Sequence, residues 1–287
     1  INFKFLNKKR NLKFPFKWNS NEYERLWQFN LHYFEWIREW IELDLFTYQV
    51  NEEKIYLIFK LINDWIDKNK IGIGDGWHSY TLSLRIRNLI WFYRLYPKLI
   101  NHKFIRSLWI QIIWLNDNLE FHHSGNHLIE NLITLCIGSL QFEGDNPNKI
   151  FKRAIQILEK ELAKQILPDG GHEERSCTYH LLILERLIEL GCVIQLIKGL
   201  NPNWLISSIL KMRNWVLKIQ LNNNNFPRFN DCSECYCSSV EDILKSSNAF
   251  LTGQKLNQNN LQSILLNKAC KHYDTYLDIM NYQKDNK

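Results

Sequence analysis

The sequence predicts an all-α protein of antiparallel helices, arranged as a bundle or a ring of helical hairpins. Apolar residues recur at three- and four-residue spacing through 21–44, 52–68, 79–97, 102–119, 127–142, 148–166, 177–199 and 203–221. That is the period of helices with a buried face. The stretches between them are short and polar or glycine-bearing, such as KNKIGIGDGWHS, EFHHSGN, FEGDNPN and LPDGGHEERS. Short connections make consecutive helices antiparallel neighbours. No alternating run of useful strand length stands out, and no repeat of fixed period marks a regular solenoid.

With 287 residues, 45% of them hydrophobic, the chain can bury a sizeable core as one large domain or two small ones. Eleven Trp, twelve Tyr and sixteen Phe are a heavy aromatic load. Most serve packing, but in an open groove such rings also make flat platforms for sugars or bases. The net charge of +6 is spread along the chain apart from one basic cluster, FKFLNKKRNLKFPFKW. It suits an acidic polymer, and no nucleic-acid-binding motif accompanies it, so nucleic acid is not an expected partner. No apolar run is long enough to span a membrane and no signal peptide is visible, which leaves cytoplasm and cell envelope both open.

Seven cysteines give no paired framework. Cys136, Cys177 and Cys192 sit in apolar helical patterns and read as buried free thiols. Cys232, Cys235 and Cys237 form a C-x-x-C-x-C cluster that could bind a metal, but no second pair at zinc-site spacing follows, so none is expected. The predicted organisation is a basic segment over 1–20, a helical domain over 21–250, and a polar linker with one more helix (265–283) over 251–287.

Ionisable groups crowd four loop-to-helix junctions. In HHSGNHLIENLIT (122–134), His127, Glu130, Asn131 and Thr134 share one face of a helix starting near Asn126, with apolar residues over the rest. Such a stripe needs a cavity or a satisfied hydrogen-bonded core, and a buried His–Glu pair is the plainer alternative. In ILPDGGHEERSCTYH, a tight turn leads into His172, Glu173, Glu174, Arg175, Tyr179 and His180. Capping a helix needs far fewer polar groups. Tyr179 follows Arg175 by about one turn, so the guanidinium could stabilise a tyrosinate; a phenol of pKa about 10 needs such help to act as a base near neutrality. GDGWHSYTLSLRIRN (74–88) carries Trp77, His78, Tyr80, Arg85 and Arg87, and RLWQFNLHYFEWI (25–37) carries Trp27, Asn30, His32 and Tyr33. Aromatic rings beside Asn, His and Arg suit a carbohydrate, although for any one ring core packing is the better explanation.

LWQFNLHYFEWI, GWHSYTLSLRIRN, GNHLIEN, ILPDGGHEERSCTYH and FPRFND, in that order over residues 25–231, resemble the heparinase II/III-like proteins, and more loosely the alginate lyases. The resemblance implies an incomplete (α/α) toroid of antiparallel helical hairpins and β-elimination on an acidic, uronic-acid-containing polysaccharide, without a cofactor. It gives neutralisation of the uronate carboxylate to Asn126, assisted by His127. It gives protonation of the leaving oxygen to Tyr179, with Tyr179 or His127 as the base. Arg175, Glu130, His180, Trp77, His78, Tyr80, Asn30 and His32 become the expected substrate-binding residues. Complete relatives carry a C-terminal β-sheet domain that nothing here resembles, so a fragment or a natural truncation is expected. Two other readings compete: a toroid that binds anionic polysaccharide without cleaving it, and a glycoside hydrolase using Asp169 with Glu173 or Glu174. A metal-dependent reading from His127, Glu130 and His122 or His123 lacks the H-E-x-x-H order.

Overall fold

The computed structural model describes residues 1–47, 51–122, 125–220, 226–232 and 238–253. The chain packs as two compact units that divide between Leu119 and Glu120.

The first unit opens on an antiparallel hairpin of β1 (Asn2–Phe5) and β2 (Lys8–Asn11), which the sequence reading did not anticipate. Its alternation is only four residues long: Phe3 and Phe5 point inward, Asn2 and Lys4 outward. The turn uses Leu6 and Asn7 at φ 53° and 61°, without the glycine that usually signals a hairpin. Five helices follow: α1 (Arg25–Tyr33), α2 (Glu35–Thr47), α3 (Glu52–Lys68), α4 (Ser79–Leu95) and α5 (His102–Asp117). Single 3₁₀ turns at Asp75–Trp77 and Pro97–Leu99 flank α4.

The segment expected as one helix over 21–44 is two. Phe34 adopts a left-handed φ of 63° between α1 and α2 and breaks the ladder. A β-carbon makes that conformation unfavourable. Burial compensates, because Phe34 is fully enclosed among the rings of Trp18, Trp36 and Trp65. Asn51 and Asn101 start α3 and α5 by accepting from Lys54 N and Phe104 N. Helix α4 is buried around most of its surface and packs against α1, α2 and α5.

The second unit contains α6 (Asn126–Ser139), α7 (Asp145–Gln165), α8 (Cys177–Lys198), α9 (Asn203–Ile219) and α10 (Val240–Thr252). Helices α6 and α8 are buried almost all round. Helices α7 and α9 lay one stripe on them, Ala154, Leu158 and Leu162 in α7 and Leu205, Ile209, Met212 and Val216 in α9. Helix α10 is not among the stretches of helical period read from the sequence. Its inward positions include Ser246 and Ser247, and polar residues there mask the apolar period. Its Phe250 seats on α8 at Gly191, where a β-carbon would come within 2.5 Å of the ring. The linker beyond Gly253 and the helix expected at 265–283 lie outside the described residues.

A buried cation sits inside the first unit. Arg85 on α4 is fully enclosed, its Nε donates to Gln111 Oε1 on α5 at 2.8 Å, and its Nη1 donates to the His32 carbonyl at 3.3 Å. The Trp65 ring faces the guanidinium at 3.9 Å. No carboxylate pairs with Arg85 among the described residues, and burial pulls its pKa well below the usual arginine value. Removing its neutral acceptor should therefore be costly. Gln111→Leu is expected to destabilise the protein by about 2–3 kcal/mol. A urea midpoint equal to wild type would show that this bond contributes nothing.

Candidate active site

Two of the expected motifs meet through one carboxylate. Helix α6 has no side-chain cap of its own: Gly125 precedes it at φ 107°. Glu174, from the loop before α8, supplies the missing acceptor, its Oε1 taking the Asn126 N–H at 2.6 Å. An acid at a helix N-terminus satisfies an orphan donor and complements the helix dipole. A β-carbon at position 125 would run into that carboxylate, which accounts for the glycine.

The loop carrying Glu174 is built from the other polar residues of its stretch. Asp169 Oδ1 accepts from Gly171 N at 2.9 Å and closes the turn. Gly170 and Gly171 lie too close to Lys211 and Trp215 of α9 for a side chain. His172 is buried, with Nε2 bonded to Gln165 Oε1 at 3.0 Å and Nδ1 accepting from Glu174 N at 3.4 Å. Burial lowers its pKa to about 4. His180 is fully buried, bonded to the Met212 carbonyl at 3.1 Å and tilted against the Trp215 ring at 4.3 Å, and burial likewise holds it at about 4. His180, expected to bind substrate, has no part at the surface.

Tyr179 lies in the first turn of α8, half-buried, behind the cap in which Ser176 Oγ accepts from its N–H at 3.3 Å. Arg175 is exposed and takes φ 52° just before that cap. The FPRFND motif joins here. Asn230 Nδ2 donates to the Glu174 and Arg175 carbonyls, each at 3.2 Å, and Ser176 Oγ donates to the Asp231 carbonyl at 3.2 Å. Sequence reasoning quoted FPRFND but assigned Asn230 no role, because nothing local shows which carbonyls a side chain 55 residues away will find.

His127, on the first turn of α6, exposes 39% of its side chain and approaches the buried Glu120 at 3.4 Å. Glu130 is buried with Arg186 of α8, 3.4 Å away, which also meets Glu185 at 3.3 Å. That carboxylate, expected to bind substrate, is held inside the unit.

In the first unit the expected residues separate into core and surface. His32 is fully buried, its Nδ1 accepts from Trp65 Nε1 at 2.9 Å, and burial together with the Arg85 charge lowers its pKa to about 3. Trp77 packs between Trp65 and Trp114. Both, expected as binding residues, lie in the core. Asn30 donates to the Leu26 carbonyl of its own helix at 2.8 Å. His78 and Tyr80 do border the surface, and they extend a row that the sequence reading missed. Arg25, Phe29 and Tyr33 follow one another at four-residue spacing on α1, with Arg25 over Phe29 at 5.2 Å. Phe29 meets His78 at 5.6 Å and Tyr33 meets Tyr80 at 6.0 Å. The i, i+4, i+8 spacing was the available signal. Asp75 fixes the GDGW turn to this helix through Arg25 and Gln28, both at 3.1 Å.

Among the described residues no group of three His, Cys, Asp or Glu is placed to hold a metal, and no helix is long and apolar enough to cross a membrane. His123, Cys235 and Cys237 lie outside the described residues.

Residues 2–258 match the profile described as Heparinase II/III N-terminus. The chain belongs to the heparinase II/III family. Its curated relatives include a heparin-sulfate lyase of Bacteroides thetaiotaomicron, 25% identical over 182 residues, a match covering 59% of this chain and 25% of that protein. Among solved structures, heparinase III superposes with a TM-score of 0.67 at 19% identity, over 86% of this chain and 40% of that one. The heparan sulfate lyase HepC of Pedobacter heparinus gives 0.63 at 18% identity, over 87% and 42%. At such identities the likeness is one of fold, and it gives the chain the helical-toroid class of the heparinase III N-terminal region. This heparinase II/III chain spans about a quarter of the curated relative and about two fifths of the solved ones.

Two consequences follow from the geometry. Gly125→Ala places a side chain against Glu174 in a left-handed backbone, and is expected to cost about 1–3 kcal/mol in thermal unfolding; unchanged stability would show that the Glu174 cap is dispensable. His172 and His180, neutral in the folded state with pKa about 4, bind protons more readily unfolded, where the reference is 6.5. Their contribution is present above pH about 6.5 and lost as pH falls toward 4, up to about 3 kcal/mol for one such histidine. Chemical unfolding across that window should show stability falling with pH, less steeply in His180→Gln.

Proposed function

We propose that this chain carries the substrate-binding and proton-transfer groups of a lyase that cleaves a uronic-acid-containing polysaccharide of the heparan sulfate type by β-elimination. The observation that carries the reading is the Glu174 carboxylate on the Asn126 N–H. It links the segment bearing Asn126 and His127 to the one bearing Arg175 and Tyr179.

The chemistry asks for those residue types. The C5 proton of a uronate is weakly acidic, and the adjacent carboxylate charge opposes the carbanion that forms when it leaves. In this reading the Asn126 amide, with His127, hydrogen-bonds the carboxylate and spreads that charge. A base, Tyr179 as tyrosinate or His127 according to the sugar's stereochemistry, takes the C5 proton. The electron pair forms the C4–C5 double bond, the C4–O bond breaks, and Tyr179 protonates the departing oxygen. Arg175 holds an anionic group of the substrate or favours the tyrosinate. The step balances with protein side chains alone. Support also comes from the family itself, whose relatives are named heparin-sulfate and heparan sulfate lyases.

Hydrolysis finds less support. Asp169 closes a turn and Glu174 caps α6, so two of its three candidate acids already serve as structural acceptors. A sugar-binding surface without turnover is favoured by one observation, the row of Arg25, Phe29, Tyr33, Tyr80 and His78 on the first unit. The deciding measurement is ultraviolet absorbance during incubation with acidic polysaccharides. Conjugated uronate should appear, and Tyr179→Phe should slow it about a hundredfold or more while leaving binding intact. New reducing ends without that absorbance would overturn elimination.

A further inference from the structure

The start of α8 holds a second chemistry that elimination does not use. Cys232 and Cys177 are both free thiols, 55 residues apart in sequence, brought together where the Asn230–Cys232 segment crosses the helix N-terminus. The Cys232 sulfur accepts from Cys177 N at 3.1 Å and lies 3.7 Å from Ser176 Oγ. Cys177 is buried while Cys232 is partly open to solvent. We propose that Cys232 and Cys177 form a thiol modification site, in which Cys232 is the attacking sulfur toward small disulfides and Cys177 resolves the adduct into an intramolecular disulfide.

The two sulfurs are made unequal by their surroundings. Burial alone pushes Cys232 upward, but hydrogen bonds from Thr178, Ser176 and the Cys177 N–H outweigh it and bring the thiol down to about 7. Cys177 goes the other way, raised to about 11 by burial and by its negative neighbour. Backbone donors at a helix N-terminus are the usual means of stabilising a thiolate. The reaction needs a low-molecular-weight disulfide as oxidant. The Cys232 thiolate attacks one sulfur of RSSR, the S–S bond breaks, and RS⁻ leaves with a mixed disulfide on the protein. Cys177 then loses its proton to solvent, its sulfur attacks the Cys232 sulfur, and a second RS⁻ departs. Two protein thiols are oxidised and one RSSR is reduced to two RSH. The product ties the Asn230–Cys232 segment to the turn that carries Tyr179. That last consequence rests on the lyase reading, whereas the thiol chemistry does not.

The test treats the full chain with cystamine and maps the cysteines by non-reducing peptide mass spectrometry. Wild type should yield a Cys177–Cys232 linked peptide that dithiothreitol reverses. Cys177→Ser should retain one cysteamine on Cys232, and Cys232→Ser should slow modification of Cys177 roughly tenfold or more. A disulfide from Cys232 to Cys235 or Cys237, or Cys177 reacting as fast in Cys232→Ser as in wild type, would overturn the proposal. Because the readout is sulfur chemistry, either outcome leaves the elimination reading to its own assay.

Discussion

The second unit depends on a single charge meeting a single helix end. Helix α6 is buried almost all round, and a buried helix cannot leave its first N–H groups to water. Gly125 brings the chain in at an angle that leaves no capping side chain, and Glu174 arrives from a different part of the sequence to satisfy the Asn126 N–H. The closed turn behind Glu174, the glycines pressed on α9 and the neutral His172 all hold that carboxylate in place. The polar crowding before α8 is therefore first a scaffold. What remains at the surface after that work is a short set: Glu173, Arg175 and a half-buried Tyr179.

The interior of each unit handles polarity by keeping buried groups neutral or paired. His32, His172 and His180 are all held well below their ordinary pKa by burial, and each has a nitrogen bonded within its own unit. Glu130 and Arg186 meet between α6 and α8. Arg85 differs, relying on an amide, a carbonyl and the face of Trp65. Enclosing a cation with no carboxylate beside it among the described residues is expensive, and these contacts tie α1, α3, α4 and α5 to one arrangement.

Periodicity alone located most of the helices, because burying one face imposes a 3.6-residue rhythm on any sequence that does it. It failed where burial and polarity part company. Phe34 interrupts a continuous apolar pattern, since backbone handedness leaves no trace in hydropathy. Helix α10 turns serines inward, and the N-terminal hairpin is too short for its alternation to stand out. In the quoted motifs, spacing did not show which faces turn inward: His32, Trp77, Glu130 and His180 belong to the interior, while Phe29 and Arg25 join Tyr33, His78 and Tyr80 outside.

By itself the sequence determined the helical class, the family and the junctions where ionisable groups crowd, because these follow from local spacing and from motifs read along the chain. Only tertiary structure decided which ionisable residues are spent on holding the fold and which are left at the surface. Glu174 reaching Asn126, Asn230 reaching the carbonyls before α8, and Cys232 reaching Cys177 all join residues 48 to 56 positions apart. Hydrogen bonds and burial act through space, so the partners that set a side chain's charge and exposure exist only once the helices have packed.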